Sequence, residues 1–93
     1  MDNIKEIASI IKGLNNTENI YNFLLEILTE SEVETLSKRW RIIKGLSSGQ
    51  TQREIAKDLK VSLCKVTRGS KILKNKNSVI TKYFNKEIKK WIQ

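Results

Sequence analysis

Lysine and arginine side chains are concentrated in the middle of this 93-residue chain. Between residues 38 and 76, twelve basic residues stand against two acidic ones, a net charge of +10, whereas residues 1–37 carry −5 and residues 77–93 carry +3. Each phosphate that a cation neutralises releases counterions, so a concentrated basic segment favours binding to a polyanion such as nucleic acid. A merely solvated basic surface is the alternative interpretation.

The composition offers little for catalysis or metal binding. The chain contains no histidine and one cysteine, Cys64, which excludes histidine-dependent acid–base chemistry and Cys/His zinc sites. The acidic residues lie mostly in the N-terminal third, at spacings typical of a helix surface, and no pair of them is predicted to be catalytic. We therefore expect no catalytic residues, no metal site and no required cofactor, and we predict that the protein is not an enzyme.

The elements that must position the basic residues are predicted to be helices. The chain has no proline and only four glycines, which leaves few signals for strands or hairpins. Apolar residues recur at helical spacing in residues 4–14 and 20–28, and Thr17 is a candidate cap for the second of these segments. Thr29 and Glu32 fit a capping box at the start of a third helix. The sequence predicts a single all-α domain of about six helices.

Residues 51–76, here called the reading head, predict a helix-turn-helix. Thr51 and Glu54 form a second capping box at the start of a short helix, TQREIAKDL, and Ser62 is the predicted N-cap of the next helix. Lys60 stands in the turn, where a glycine is common because the backbone needs a positive φ. Two short helices joined in this way, with basic side chains on the second, are typical of DNA-binding proteins. Two helices of an ordinary bundle are the alternative.

We predict that the reading head binds double-stranded DNA. Arg53 is the best candidate for a guanine contact, because its guanidinium can bond O6 and N7 together. The early residues of the second helix reach base edges, with Leu63 and Cys64 suited to thymine methyl groups, and the remaining lysines contact phosphates. The predicted DNA-binding residues are Arg53, Lys57, Lys60, Ser62, Leu63, Cys64, Lys65, Thr67, Lys71 and Lys74.

The outer segments predict a homodimer. Residues 79–92 repeat apolar side chains at three- and four-residue spacing, which indicates a last amphipathic helix. This helix and the first three together carry more apolar surface than so small a domain buries in its own core. Residues 1–49 and 77–93 are the predicted dimerisation core, and Trp40 and Trp91 are expected to be core residues.

The chain opens without a signal-peptide pattern and has no apolar run long enough for a membrane span, so we expect a cytoplasmic protein that does not bind membranes.

From Leu28 to Leu73 the chain resembles the Trp repressor family. The run LTESEVETLSKRWRIIKGL is similar to the long central helix of the family and its approach, and TQREIAKDL and KVTRGSKILK are similar to the two reading helices. The tetrapeptide from Thr67 to Ser70 is the part of this resemblance that is most specific to the family. The resemblance implies an intertwined all-α homodimer that binds a two-fold-symmetric operator, with L-tryptophan as a possible corepressor.

Carried over by position, the resemblance also implies a ligand site. Arg39 and Arg68 match the two arginines that sandwich the indole, a task that suits flat guanidinium groups. Thr29 matches a residue at the pocket edge, Gly69 would leave room for the ring, and Ile72 stands where the best-known pattern has a ligand-binding serine. The predicted ligand-binding residues are Thr29, Arg39, Arg68, Gly69 and Ile72. A solvated residue or a DNA contact is the alternative for Arg39, and close helix packing is the alternative for Gly69.

The sequence thus predicts a sequence-specific DNA-binding transcriptional regulator, a repressor with L-tryptophan as corepressor. Two departures from the family pattern bear on the ligand. Ile72 offers no hydrogen bond, and the segment SSGQTQ before the reading head is one residue shorter than the common spacing. A regulator of the same kind with another ligand or none, and a protein–protein interaction module on the same fold, are the alternatives.

Overall fold

A computed structural model describes the backbone of residues 2–92 and the side chains of residues 2–86. Within these residues the chain forms six helices: α1 (Asn3–Leu14), α2 (Thr17–Ile27), α3 (Glu30–Ser47), α4 (Gln52–Leu59), α5 (Leu63–Lys74) and α6 (Val79–Ile92). The predicted all-α class with about six helices is confirmed. None of the helices in the described part of the chain is both long enough and apolar enough to cross a membrane.

The chain divides into two compact units, Met1–Leu36 and Ser37–Gln93. The first contains α1, α2 and the beginning of α3, and the second contains the remainder of α3 together with α4, α5 and α6. The boundaries that the sequence indicated for a dimerisation core and a reading head stay predictions.

Side-chain caps set the helix starts in the first unit. The Asp2 carboxylate accepts hydrogen bonds from the first turn of α1, and Asn15 ends that helix with a left-handed backbone, φ 59°. The side chain of Asn16 accepts a 2.7 Å bond from the Asn19 amide, so Asn16 caps α2. The sequence-based expectation that Thr17 is the cap was wrong by one residue, because both side chains are of capping type and Thr17 is already helical.

The capping box predicted at the start of α3 is confirmed. The Thr29 amide donates to Glu32 Oε1 at 2.9 Å, and the Glu32 amide donates to Thr29 Oγ1 at 3.1 Å. Two backbone donors that lack helical partners are thereby satisfied. The bond from the Thr29 backbone amide favours the charged form of the Glu32 carboxylate and is the largest cause that lowers its pKa below the ordinary value, with the Thr29 side chain as the next.

The first unit has little interior of its own. Helices α1 and α2 pack against each other, yet neither contains a buried residue. Large apolar side chains remain open to solvent, among them Ile4 at 72% and Tyr21 at 60% exposure. The apolar stripes of these helices are therefore only partly covered within the single chain.

The second unit has a small, well-defined core. Ile42 of α3, Ile55 of α4 and Val66 of α5 are buried against one another. Four half-buried residues pack around them: Leu46, Ala56, Leu59 and Val61. Four of these residues supply the apolar contacts between the two reading helices: Ile55, Leu59, Val61 and Val66.

An aromatic group joins α3 to α6 within the second unit. The ring of Trp40 stacks on Phe84 with centroids 5.3 Å apart, and Tyr83 meets Phe84 edge-on at 5.2 Å. Trp40 nevertheless keeps 39% of its surface exposed, so it is only partly a core residue in the single chain. The side chain of Trp91, the other predicted core tryptophan, lies outside the described residues.

Candidate nucleic-acid interface

Helix α4 begins at the second predicted capping box, which is confirmed. The Glu54 amide donates to Thr51 Oγ1 at 3.1 Å, and the Thr51 amide donates to Glu54 Oε1 at 3.4 Å. Ile55 is 2% exposed and anchors the inner side of the helix. Arg53 and Lys57, one turn apart, are exposed, so the two cations lie on the solvent side of α4.

The turn after α4 has the positive φ at which glycine is common, although a lysine occupies it. Lys60 is left-handed, with φ 54° and ψ 46°, and the Val61 amide bonds the Ala56 carbonyl oxygen at 3.1 Å. A left-handed backbone is costly for a residue with a Cβ atom. Lys60 is therefore in an unfavourable backbone conformation. Its side chain is exposed, so the ammonium group reaches solvent.

The first turn of α5 presents a mixed polar and apolar surface. Ser62 is the N-cap in an extended conformation, but its side chain makes no capping hydrogen bond. Ser62, Cys64 and Lys65 are exposed, and Leu63 keeps 48% of its surface open to solvent. A hydroxyl, a thiol, an apolar side chain and a cation are therefore all available to an incoming ligand.

Thr67 differs from the other predicted DNA-binding residues. It is half-buried, and its Oγ1 lies 3.0 Å from Gln52 Oε1 and 3.0 Å from the Leu63 carbonyl oxygen. Because the hydroxyl proton is shared between these acceptors, Thr67 ties the start of α4 to α5. Gln52 was not predicted from the sequence, because a polar residue in a first helical turn gives no signal of such a partner.

The other nine predicted DNA-binding residues are all exposed: Arg53, Lys57, Lys60, Ser62, Leu63, Cys64, Lys65, Lys71 and Lys74. The inner side of the reading head is occupied by Ile55, Val66 and Gly69, which are buried. Helical spacing therefore separates a basic outer surface from an apolar inner one. DNA binding by these residues stays a prediction.

The predicted ligand-binding residues lie in different surroundings. Thr29 belongs to the first unit, where it caps α3, and the other four belong to the second unit. Arg39 and Arg68 are exposed, Ile72 is half-buried and Gly69 is buried. A Cβ atom on Gly69 would lie 3.0 Å from Ile42 Cγ2 and 3.4 Å from Leu46 Cδ1. This contact supports close helix packing as the role of Gly69, and ligand binding by the set stays a prediction.

Comparison with known proteins places this arrangement in a family. The model of the Trp repressor protein family matches residues 2–88. The chain belongs to the Trp repressor family. The family match spans all the residues predicted for the DNA and ligand sites, so the resemblance drawn from the central motifs is confirmed and extends to the outer helices.

Several curated members of the Trp repressor family are similar to the chain. A Trp operon repressor homolog of Chlamydia trachomatis serovar D is 40% identical over 62 residues, and the match spans 66% of each chain. A Trp operon repressor homolog of Xylella fastidiosa strain M23 is 38% identical over 72 residues, 76% of this chain and 78% of the relative. One from Chlamydia caviae is 40% identical over 70 residues, 74% of this chain and 66% of the relative. No solved structure matches.

Proposed function

We propose that the chain is a sequence-specific DNA-binding transcriptional repressor that binds double-stranded DNA through α4 and α5. The observation that carries the proposal is the paired arrangement of these helices, whose inner side is apolar and whose outer side is basic. Eight basic residues stand against two acidic ones between residues 51 and 76. Such a surface supplies phosphate contacts, while the exposed first turn of α5 offers groups that suit base edges.

The comparisons support a regulatory role. The family and the curated relatives are described as repressors, and those relatives bear the name Trp operon repressor homolog. Repression through an operator is therefore the outcome that we propose for this chain, in the cytoplasm as its sequence predicts.

We propose further that the protein acts as a homodimer. The exposed apolar residues of α1 and α2, and the absence of buried residues in those two helices, support a second copy as the occupant of these faces. A two-fold dimer presents two identical reading heads, which suits an operator of the same symmetry.

The identity of the corepressor is proposed separately from DNA binding. L-tryptophan as corepressor is a proposal drawn from the family resemblance, and a repressor with another ligand or none is its rival. The packing of Gly69 against Ile42 and Leu46 supports the rival, because side chains of α3 already occupy the space beside the glycine.

Selection of bound duplexes from a random DNA pool, with and without L-tryptophan, tests the proposed function. We expect enrichment of a two-fold-symmetric sequence. Arg53→Ala should relax the preference at one position of each half-site, with a loss of about 1–3 kcal/mol in discrimination. Lys74→Ala, the matched control, should weaken binding to all sequences alike and lower the slope of log affinity against log salt by about one for each half-site, about two for the homodimer.

A protein–protein interaction module on the same fold gives a different result. It would enrich no sequence, and its binding to duplex DNA would not weaken with the steep salt dependence of phosphate contacts. That outcome would refute the proposed function.

A further inference from the structure

The two reading helices are joined at three places along α4. At its end, the turn of residues 60–62 connects α4 to α5. In its middle, Ile55 is 2% exposed and packs against the fully buried Val66 of α5. At its start, Thr67 Oγ1 of α5 lies 3.0 Å from Gln52 Oε1. The start of α4 is therefore attached to α5 by a polar contact between side chains.

The bond between Gln52 and Thr67 constrains the helices differently from the apolar contact behind it. Apolar burial is non-directional, so the contact of Ile55 with Val66 keeps the helices close but constrains their tilt less. A hydrogen bond depends on distance and angle and is lost once its atoms separate by about 1 Å. Gln52 lies at the opposite end of α4 from Leu59. That separation is about 10 Å along the helix, so a tilt of roughly 10° about the turn would move Gln52 by about 2 Å and break the bond.

Groups that we propose to contact bases flank this bond on both helices. Arg53, the proposed guanine contact, follows Gln52 directly and is exposed. On α5, Leu63 and Cys64 precede Thr67 by one turn, and both are exposed. A change in the angle between the helices would therefore move the Arg53 guanidinium relative to the first turn of α5. Binding groups must be held to within about 10–20° of their productive geometry, so both helices read one half-site only over a narrow range of angles.

Loss of this bond leaves the Thr67 hydroxyl with a partner. Thr67 Oγ1 also lies 3.0 Å from the Leu63 carbonyl oxygen, so the hydroxyl keeps an acceptor when Gln52 is replaced. Gln52 is half-buried in the first turn of α4, and methionine has a similar length and helix propensity. A Gln52→Met variant should therefore fold, and it removes the bond without leaving a buried polar group unpaired.

We propose that Gln52 is a positioning residue that sets the angle between α4 and α5 through Thr67, so that Arg53 and the first turn of α5 read the same half-site. The inference rests on the proposed DNA-binding function and deepens it by assigning what aligns the base contacts of the two helices. The bond joins residues of one chain, so it needs no contact with DNA. Without it the reading head samples other angles, and DNA binding must then remove this freedom.

A double-mutant cycle tests whether Gln52 acts through Thr67. Gln52→Met, Thr67→Val and the double variant are compared with the original protein in affinity for the duplex selected from the random pool. A net hydrogen bond corresponds to about 2- to 10-fold in affinity for each reading head, so Gln52→Met should weaken binding by about 4- to 100-fold in the homodimer. In the Thr67→Val background the same replacement should change affinity by less than about twofold. Losses that multiply in the double variant overturn the inference, because Gln52 would then act independently of Thr67.

Base preference separates this role from a general stabilising one. Gln52→Met and Thr67→Val should each lower the preference for the base that Arg53 reads by about threefold or more, because the guanidinium is no longer aligned with its guanine. Thr67→Ser keeps the hydroxyl and should retain affinity and preference to within about twofold. Circular dichroism establishes that each variant is folded. Unchanged preference in both folded variants, or a Thr67→Ser that fails like Thr67→Val, overturns the role of Gln52.

The same measurements distinguish failure of the inference from failure of the proposed function. If the original protein enriches a two-fold-symmetric sequence and the variants keep its base preference, the inference is overturned and the proposed function stands. If the original protein enriches no sequence, both are overturned. Urea denaturation of the four proteins at one concentration, without DNA, checks the bond itself, since residues in contact give non-additive changes in the free energy of unfolding. Additive changes there would overturn the inference.

Discussion

Backbone and side chain have opposed requirements at Lys60. The left-handed conformation of the turn, with φ 54°, favours glycine, whereas the charge of the side chain favours a position that faces DNA. Strained residues of this kind tend to persist where the surrounding structure fixes them and where function uses the side chain. We interpret Lys60 as a phosphate-binding residue that is kept at a cost in stability.

Replacement of Lys60 by glycine should separate the two effects. Lys60→Gly relieves the left-handed strain, and the free energy of unfolding should rise by roughly 0.5–1 kcal/mol after the greater freedom of glycine in the unfolded chain is included. Affinity for DNA should fall for all sequences alike, because each of the two reading heads loses one phosphate contact. Urea denaturation and DNA titrations over a salt series measure the two changes.

Lys57→Ala is the matched control for Lys60→Gly. It removes a neighbouring exposed cation from a regular helix, so DNA affinity should fall by a similar factor while stability stays within about 0.5 kcal/mol. A Lys60→Gly protein that is no more stable than the original would show that the turn is not strained, and unchanged DNA affinity would remove Lys60 from the interface.

At the scale of the elements, reciprocal capping marks where α3 and α4 begin. Both boxes, at Thr29 and at Thr51, were identified from the spacing of a threonine and a glutamate, since the geometry that joins them is local. Thr29 is also one of the ligand-binding residues that the family resemblance implies. The hydrogen bonds between Thr29 and Glu32 stabilise the start of α3.

The start of α3 should respond to pH through Glu32. The pKa of Glu32 lies below its ordinary value of 4.5 in the folded protein, chiefly because the Thr29 amide bonds the carboxylate. A carboxyl group with a lowered pKa contributes its stability at pH values above the ordinary value and loses it as the pH falls through the folded value. NMR titration of the Glu32 carboxyl, with chemical shifts of the first turn of α3, should therefore show a transition below pH 4.5.

Two variants control the titration. Glu32→Gln keeps a capping-box side chain without a titrating group, so the transition assigned to Glu32 should disappear from the first turn of α3. Thr29→Ala removes the hydroxyl and keeps the backbone amide, so the pKa of Glu32 should rise part of the way to its ordinary value. A Glu32 that titrates at its ordinary value in the original protein would contradict the hydrogen bonds described at this cap.

At the scale of the whole molecule, the exposed apolar surface argues for a second copy. An apolar residue that stays open to solvent in a single chain contributes little to its stability, but contributes much more when a partner covers it. Tyr21 and Leu25, one turn apart on α2, are 60% and 45% exposed. Their effect on stability therefore reports whether this face is covered in solution.

Replacement of Tyr21 tests the dimer. In a monomer, Tyr21→Ser should change stability by less than about 0.5 kcal/mol, because surface substitutions are usually neutral. In the proposed homodimer it should weaken association and lower the melting temperature, and analytical ultracentrifugation should detect single chains at dilution. Asn22→Ser, at an exposed polar neighbour, is the control and should leave the assembly unchanged. A wild-type chain that sediments as a monomer at all concentrations would contradict the proposal.

The sequence by itself determined the features that depend on near neighbours in the chain. Helical periodicity, the two capping boxes, the positive φ at Lys60 and the basic segment are local, so the helix-turn-helix and its family were identified from spacing and residue type. The choice between Asn16 and Thr17 as a cap was not determined, because both side chains suit the position. For Gly69 the sequence favoured a ligand pocket over close helix packing, whereas the contact with Ile42 in the structure supports close packing.

Only the tertiary structure decided the contacts between residues that lie far apart in sequence. Thr67 bonds Gln52, Thr81 bonds the Ile72 carbonyl oxygen, and Gly69 meets Ile42 and Leu46. A residue type reveals that a hydroxyl needs a partner or that a glycine saves space, but it does not say which helix supplies the neighbour. The identity of that neighbour follows from how the helices pack, and here it determines how the reading head is held.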